Sequence, residues 1–180
     1  VGRPHPHEDA VLIVGMLSAW PELFDLARER LAARFGPVAG ESPLLDFDFT
    51  DYYAAEMGGG LKRRFLAFAG PFDAARLAEV KLWTNDLERE FVSPKRPVSR
   101  PLNLDPGYVD LNRLVLATTK DFPHRIYLGR GIYAEVTLQF AHGGFQAQPW
   151  TYRDYRTPAY HAWFRSVRDT LLARRRAAPA

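Results

Sequence analysis

The chain has 180 residues, 47% of them hydrophobic and 13% aromatic, which fits one packed domain and argues against extensive disorder. It has no cysteine, which excludes disulfides, thiolate zinc sites, iron–sulfur clusters and thiol nucleophiles, and makes a cytoplasmic location the default expectation. The net charge of +3 is divided unevenly: residues 1–99 carry 12 Lys and Arg against 15 Asp and Glu, and residues 100–180 carry 12 against 6, so the second half is suited to RNA or an anionic ligand.

Residues 1–9 have neither an initiator Met nor the apolar core of a signal peptide and read as a flexible tail. Residues 10–173 read as a single α+β domain, and 174–180 as a basic C-terminal tail. The apolar run 11–17 is far below the roughly 20 residues of a membrane helix and reads as a buried central strand. A helix follows, capped around Ser18, with Pro21 in its first turn and Leu23, Ala27, Leu31 and Phe35 on one side, until Gly36-Pro37 stops it. Alternation over 44–50 predicts a strand with Leu45, Phe47 and Phe49 inward. Gly58-Gly59-Gly60 breaks the chain, and 62–69 resumes as a strand.

Asp73 reads as the N-cap of a long helix with an apolar stripe at Leu77, Val80, Thr84, Leu87 and Phe91, beside a polar row of Lys81, Asn85 and Glu88. The proline-rich 94–101 segment reads as an extended linker or flap. Asp105-Pro106-Gly107 predicts a tight turn, and Asp110 a cap for a short helix presenting Leu111, Leu114 and Val115, although Leu114-Val115-Leu116 also permits a strand. In 132–140 strict alternation predicts a half-buried strand, joined by glycine turns to strands over 125–128 and 145–152. Thr157-Pro158 opens a final helix with Tyr160, Trp163, Phe164, Val167 and Leu171 on one face. The order predicts an α+β fold: an open, mostly antiparallel sheet with its long helices on one face, in a ferredoxin-like split βαβ arrangement elaborated with a C-terminal hairpin and helix.

Polar residues set among core residues mark the candidate chemistry, because buried ionisable groups cost free energy unless paired or used. His124 is the best acid–base candidate of the five histidines, with Glu135 on a strand expected to meet a cation such as Arg125, Arg130 or Lys81. An extended backbone at Pro123 would send His124 and Arg125 to opposite faces. Asp105 serves either the turn or, alternatively, as a general base or metal ligand. Lys62, Arg63, Lys81, Asn85, Glu88, Asn103, Arg125 and Tyr133 are the candidate ligand-binding residues. The glycines before Lys62-Arg63-Arg64 let backbone amides approach a phosphate, although no P-loop order is present. Asp48 and Asp51, near Asp46 and Glu56, are candidate oxygen ligands for a divalent cation such as magnesium, without calcium-loop spacing.

Several long motifs stand together: 47–53 (Phe-Asp-Phe-Thr-Asp-Tyr-Tyr), 103–108 (Asn-Leu-Asp-Pro-Gly-Tyr), 124–128 (His-Arg-Ile-Tyr-Leu), 131–138 (Gly-Ile-Tyr-Ala-Glu-Val-Thr-Leu) and 149–152 (Pro-Trp-Thr-Tyr). With Lys81, Thr84-Asn85 and Glu88 between them, the chain resembles domain of unknown function 4416, a family of bacterial proteins of about this size, from about Val11 to the final helix. The resemblance implies membership and transfers no catalytic residues. Some members are described as GTP-binding, but the P-loop lysine and base-reading motifs of GTPases are absent here. The residues themselves point to a phosphate-bearing or otherwise anionic small molecule, bound by Lys62 and Arg125 and served by His124 or Glu135. The alternative is a non-enzymatic RNA-binding or protein-interaction module built on the basic second half and on rings such as Tyr127, Trp150 and Tyr152.

Overall fold

The computed structural model of the protein describes residues 2–3, 7, 9–50 and 52–177. Along the chain run β1 (Val11–Ser18), α1 (Glu22–Phe35), β2 (Val38–Glu41), β3 (Leu45–Asp46), α2 (Ala54–Met57), β4 (Lys62–Phe68), α3 (Leu77–Glu90), β5 (Asn103–Val109), β6 (Arg113–Thr118), β7 (Ile126–Gly129), β8 (Ile132–Ala141), β9 (Gly144–Ala147) and α4 (Pro158–Ala177). The strands form one sheet in the order β2-β4-β1-β5-β6-β8-β7, with β3 added to β4 and β9 to β8, and every pairing among the described residues is antiparallel.

All eight residues of β1 are buried because both faces of the sheet are covered. Leu12, Val14 and Met16 meet Leu23, Phe24, Ala27 and Leu31 of α1 and Leu77, Val80 and Leu87 of α3. On the other face Ile13, Phe65, Val109 and Leu116 pack beneath Tyr160, Phe164, Val167 and Leu171 of α4. The expectation of helices on a single face is thereby corrected. α4 also continues through residues 174–177, past the boundary assigned to the basic tail. No helix of the described residues is long and apolar enough to cross a membrane.

Local capping follows the residue chemistry. Asp73 Oδ accepts from the Ala75 amide ahead of α3, and Thr157 Oγ accepts from Tyr160 N at the start of α4. Ser18 departs from its expected role: its hydroxyl accepts from Trp20 N and donates to Pro101 O, tying β1 to the 92–101 segment instead of capping α1. The expected strand over 44–50 shortens to β3, although Phe47 and Phe49 still enter a small third core with Leu17, Met57 and Leu61.

Three further expectations give way to tertiary pairing. Residues 103–109 form no turn; they pair along β1 for their full length. Asp110 caps a turn, accepting from Asn112 N and Arg113 N at 2.7 and 2.8 Å, and the segment after it is β6, not a helix. The alternation of β8 breaks where its register against β6 slips between Leu114 and Val115, leaving Thr137 as an extra residue. Ile132, Ala134 and Val136 therefore face α1 and α3, whereas Leu138 and Phe140 face α4.

Candidate functional site

The sheet opens where β5 and β6 part. They pair only from Gly107 to Val109, and Gly107 makes that approach possible: a Cβ there would lie 2.3 Å from Val115 O. Before Gly107, α3 side chains replace a neighbouring strand. Leu104 N donates to Glu88 Oε1 at 2.7 Å, and Leu104 O accepts from Lys81 Nζ at 2.7 Å. Pro106 is tolerated in β5 because its nitrogen lies two residues on from Leu104 N, along this same strandless edge.

Asp105 projects from β5 toward the α4 side of the sheet. Its carboxylate receives Arg63 at 3.1 Å and Asn103 Nδ2 at 2.7 Å, with Lys81 Nζ at 3.8 Å. Arg63, 2% exposed, reaches it across β1 at Gly15, where a side chain would stand 3.3 Å from the guanidinium. The other arm of Arg63 meets Asp154 Oδ2 at 3.3 Å. Burial pushes the Asp105 carboxyl up, but Lys81 and Arg63 outweigh it and hold it below the usual range. Asp154 ends on the other side: burial raises it, and Arg63 only partly compensates. Glu88 is likewise raised by burial against the pull of Lys81 and Arg100.

The second cluster centres on Glu135, 2% exposed, on β8. β7 pairs with β8 up to Ala134 and β9 from Leu138, so neither covers the β8 edge at 135–137. Trp150 Nε1 donates there to Val136 O at 3.0 Å, and Thr151 Oγ to Thr137 O at 2.5 Å. Glu135 Oε2 takes Arg125 Nε at 2.9 Å and His124 Nε2 at 3.0 Å, while Oε1 accepts from Thr137 at 3.2 Å. The expectation that His124 and Arg125 diverge is corrected: a turn closed by Arg125 N donating to Phe122 O brings both to one carboxylate. The His124 ring is stacked on Trp150 at 5.0 Å and on Phe122 at 6.0 Å, with 22% of its side chain exposed. Arg125 also donates to Tyr152 OH at 2.6 Å and Lys120 O at 3.0 Å.

Tyr152 joins the two clusters electrostatically. Burial raises its pKa, Arg125 lowers it, and the charges of Glu135 and Asp105 both raise it. Tyr53 is raised by burial and then by Asp105. Thus Asp105, Arg63, Lys81, Asn103, Glu88, His124, Arg125 and Glu135 are brought together around the opening. Lys62 is not: it alternates with Arg63 along β4 and pairs with Asp46 on the surface. Arg64 likewise leaves, pairing with Asp25 and Glu41. Tyr133 packs on Tyr127. Asp48 is exposed, Asp51 lies outside the described residues, and among the described residues no group of three or more His, Asp or Glu side chains is placed to hold a metal ion. Sequence reasoning missed Asp154 and Arg100, which lie outside the long helices and strands where periodicity marks an inward side chain, and read Tyr152 only as a ring of the RNA-binding alternative. Arg100 bonds Glu88 at 3.3 Å and also reaches Asn103.

On the α3 side of the opening lies a polar cleft of about 410 Å³, walled by α3, α2 and the 92–101 segment, with Asn85 and Glu88 in its lining. The whole is thus an antiparallel α+β sheet with paired charges gathered at one opening between its strands. The profile of domain of unknown function 4416 matches residues 8–171, and the chain belongs to that family. No curated protein and no solved structure matches it.

Proposed function

We propose that the protein binds a phosphate-bearing or otherwise anionic small molecule beside His124 and that His124 exchanges a proton with it. The observation carrying this reading is the pairing of a half-open imidazole with a buried carboxylate at 3.0 Å. A carboxylate paired with Arg125 only accepts hydrogen bonds, so in the neutral form of the ring Nε2 of His124 carries the proton and Nδ1 keeps its lone pair. Nδ1 has no hydrogen bond to a described residue and is free to take a proton from a hydroxyl or water. Glu135 then stabilises the imidazolium until the proton is returned.

The donors of Arg125 are occupied by Glu135, Tyr152 and Lys120 O, which makes it the positioning residue for Glu135 rather than the anion's partner. Exposed Lys120, whose carbonyl accepts from Arg125, supplies the attraction for an anion. The cytoplasmic setting suggested by the absence of cysteine belongs to this same reading. We also read β1-α1-β2-β4-α3-β5 as a ferredoxin-like split βαβ unit, supported by its spatial order β2-β4-β1-β5, with β6–β9 and α4 as the elaboration.

Thermal-shift screening with nucleotides, sugar phosphates and divalent ions tests the binding, since a ligand of the folded state raises the midpoint. The expected result is a shift with an anionic compound, and a His124→Gln variant that folds but turns it over about 100-fold more slowly or worse. Absence of any shift, or full turnover by that variant, contradicts the reading. One observation favours the RNA or protein-interaction alternative: Ile126, Tyr127 and Leu128 of edge strand β7 are 68%, 60% and 40% exposed. Salt-sensitive RNA binding lost in Tyr127→Ala would establish it instead.

A further inference from the structure

We propose that the cleft between α3, α2 and the 92–101 segment is a binding site for a phosphorylated polyol, a sugar phosphate in the simplest case. The inference goes beyond the His124 reading and stands apart from it, since neither His124 nor Glu135 lines this cleft. Its volume, about 410 Å³, falls at the small-ligand end of the usual pocket range of roughly 300–1,000 Å³.

The lining chemistry selects the ligand. Asn85, Glu88 and Arg89 lie along one side of α3 at helical spacing and line the cleft, with Val92 just past the end of the helix, so a polar stripe takes the place that an apolar one would hold over a core. Opposite them stand the Ser99 and Thr119 hydroxyls. The side chains of Asn85, Ser99 and Thr119 have no hydrogen-bond partner among the described residues, which leaves three groups able to donate and accept. Glu88 is fixed at the inner side by Leu104 N and Arg100, with 12% of its side chain exposed. A carboxylate accepts from hydroxyls and repels an anion, so the hydroxyl-bearing end belongs at Glu88 and Glu56.

The phosphate belongs at Arg89. That guanidinium spends one nitrogen on Asp86 and keeps Nε and the second terminal nitrogen open, with 73% of the side chain exposed. Open paired N–H groups match a phosphate in geometry as well as charge. Arg100 is already committed to Glu88, Glu56 and Asn103 and acts as wall instead of ligand. The wall itself is held: Arg100 N donates to Glu56 O at 3.0 Å, and Arg96 pairs with Glu22 of α1 at 3.3 Å.

Calorimetric titration of the full chain with ribose 5-phosphate, glucose 6-phosphate and glycerol 3-phosphate, each beside its unphosphorylated parent and inorganic phosphate, tests the site. At least one phosphorylated probe is expected to bind about tenfold more tightly than both its parent and phosphate, a difference of about 1.4 kcal/mol. Arg89→Ala and Asn85→Ala are each expected to weaken that probe about tenfold with unchanged unfolding midpoints, and His124→Gln to leave its affinity unchanged. Affinity lost in His124→Gln but kept in Arg89→Ala would overturn the cleft and leave the His124 reading standing. Failure of all three probes to bind at about 10 mM, well above the millimolar affinity of even weak ligands, would overturn the cleft proposal outright.

Discussion

Two charged clusters sit on the α4 side of one sheet, and they end differently. In the Arg63 cluster a buried guanidinium is held between Asp105, which also accepts from Asn103 and is 27% exposed, and buried Asp154, while the Arg63 Nε has no partner. The Glu135 cluster is equally buried at its centre but finishes on His124, a ring with one nitrogen bonded and one open. A guanidinium held between two carboxylates ties elements of the fold together. A part-exposed imidazole with one nitrogen unbonded can also exchange a proton, so buried charge alone does not mark a site; a titratable ring left open does.

Substitutions can separate the two roles. Arg63→Met leaves buried Asp154 without its cation and part-exposed Asp105 with only Lys81 and Asn103, and is expected to cost about 3–5 kcal/mol in urea unfolding. A cost below about 1 kcal/mol would mean that this cluster does not tie the elements around it together. Glu135→Gln removes the charge from the partner of Arg125, whose side chain is only 4% exposed, but leaves Tyr152 and Lys120 O as acceptors. The expected loss is about 2–3 kcal/mol, smaller than at Arg63 and seen in the same unfolding measurement. His124→Gln, at the open end, is expected to change stability by less than about 1 kcal/mol. A large loss there would make the histidine structural and erase the contrast.

The Arg63 cluster also has a signature in pH. Asp105 is held below its unfolded value, about 3.9, so its contribution is complete above that pH and is lost as acid carries the solution down through the folded value. Asp154, raised by burial, has the opposite sense: its contribution is complete below about 3.9 and falls as pH rises through its folded value. Comparing wild type with Asp105→Asn across acid pH should therefore show the stability gap narrowing toward low pH. A gap that stays constant would place the favourable pairing of Asp105 elsewhere.

Much of the fold was legible where one residue pattern has one cause. The apolar run of β1 means cover on both faces, and Thr157-Pro158 with its apolar stripe means a capped helix packing on one side. The failures share a cause too. Asp105-Pro106-Gly107 has the local preference of a turn, but full-length pairing with β1 overrides it, and Pro106 escapes penalty only because its edge has no strand. Nothing in the alternation of β8 reveals that Thr137 is an additional residue, since a bulge is defined by its partner strand. His124 and Glu135 were readable as candidates, but their meeting depended on a turn that the Pro123 rule predicts against. Lys62 and Arg63 carry the same charge, and only strand alternation against a particular face makes one an exposed surface pair and the other the centre of a cluster.

If Glu135 orients His124 with one nitrogen left open, nitrogen-15 NMR of the imidazole in its neutral form reads this directly, because the two ring nitrogens report which of them holds the proton. The proton is expected on Nε2 in the wild type, with that preference lost in Glu135→Gln. A proton on Nδ1, or a tautomer mixture unchanged by Glu135→Gln, would contradict it.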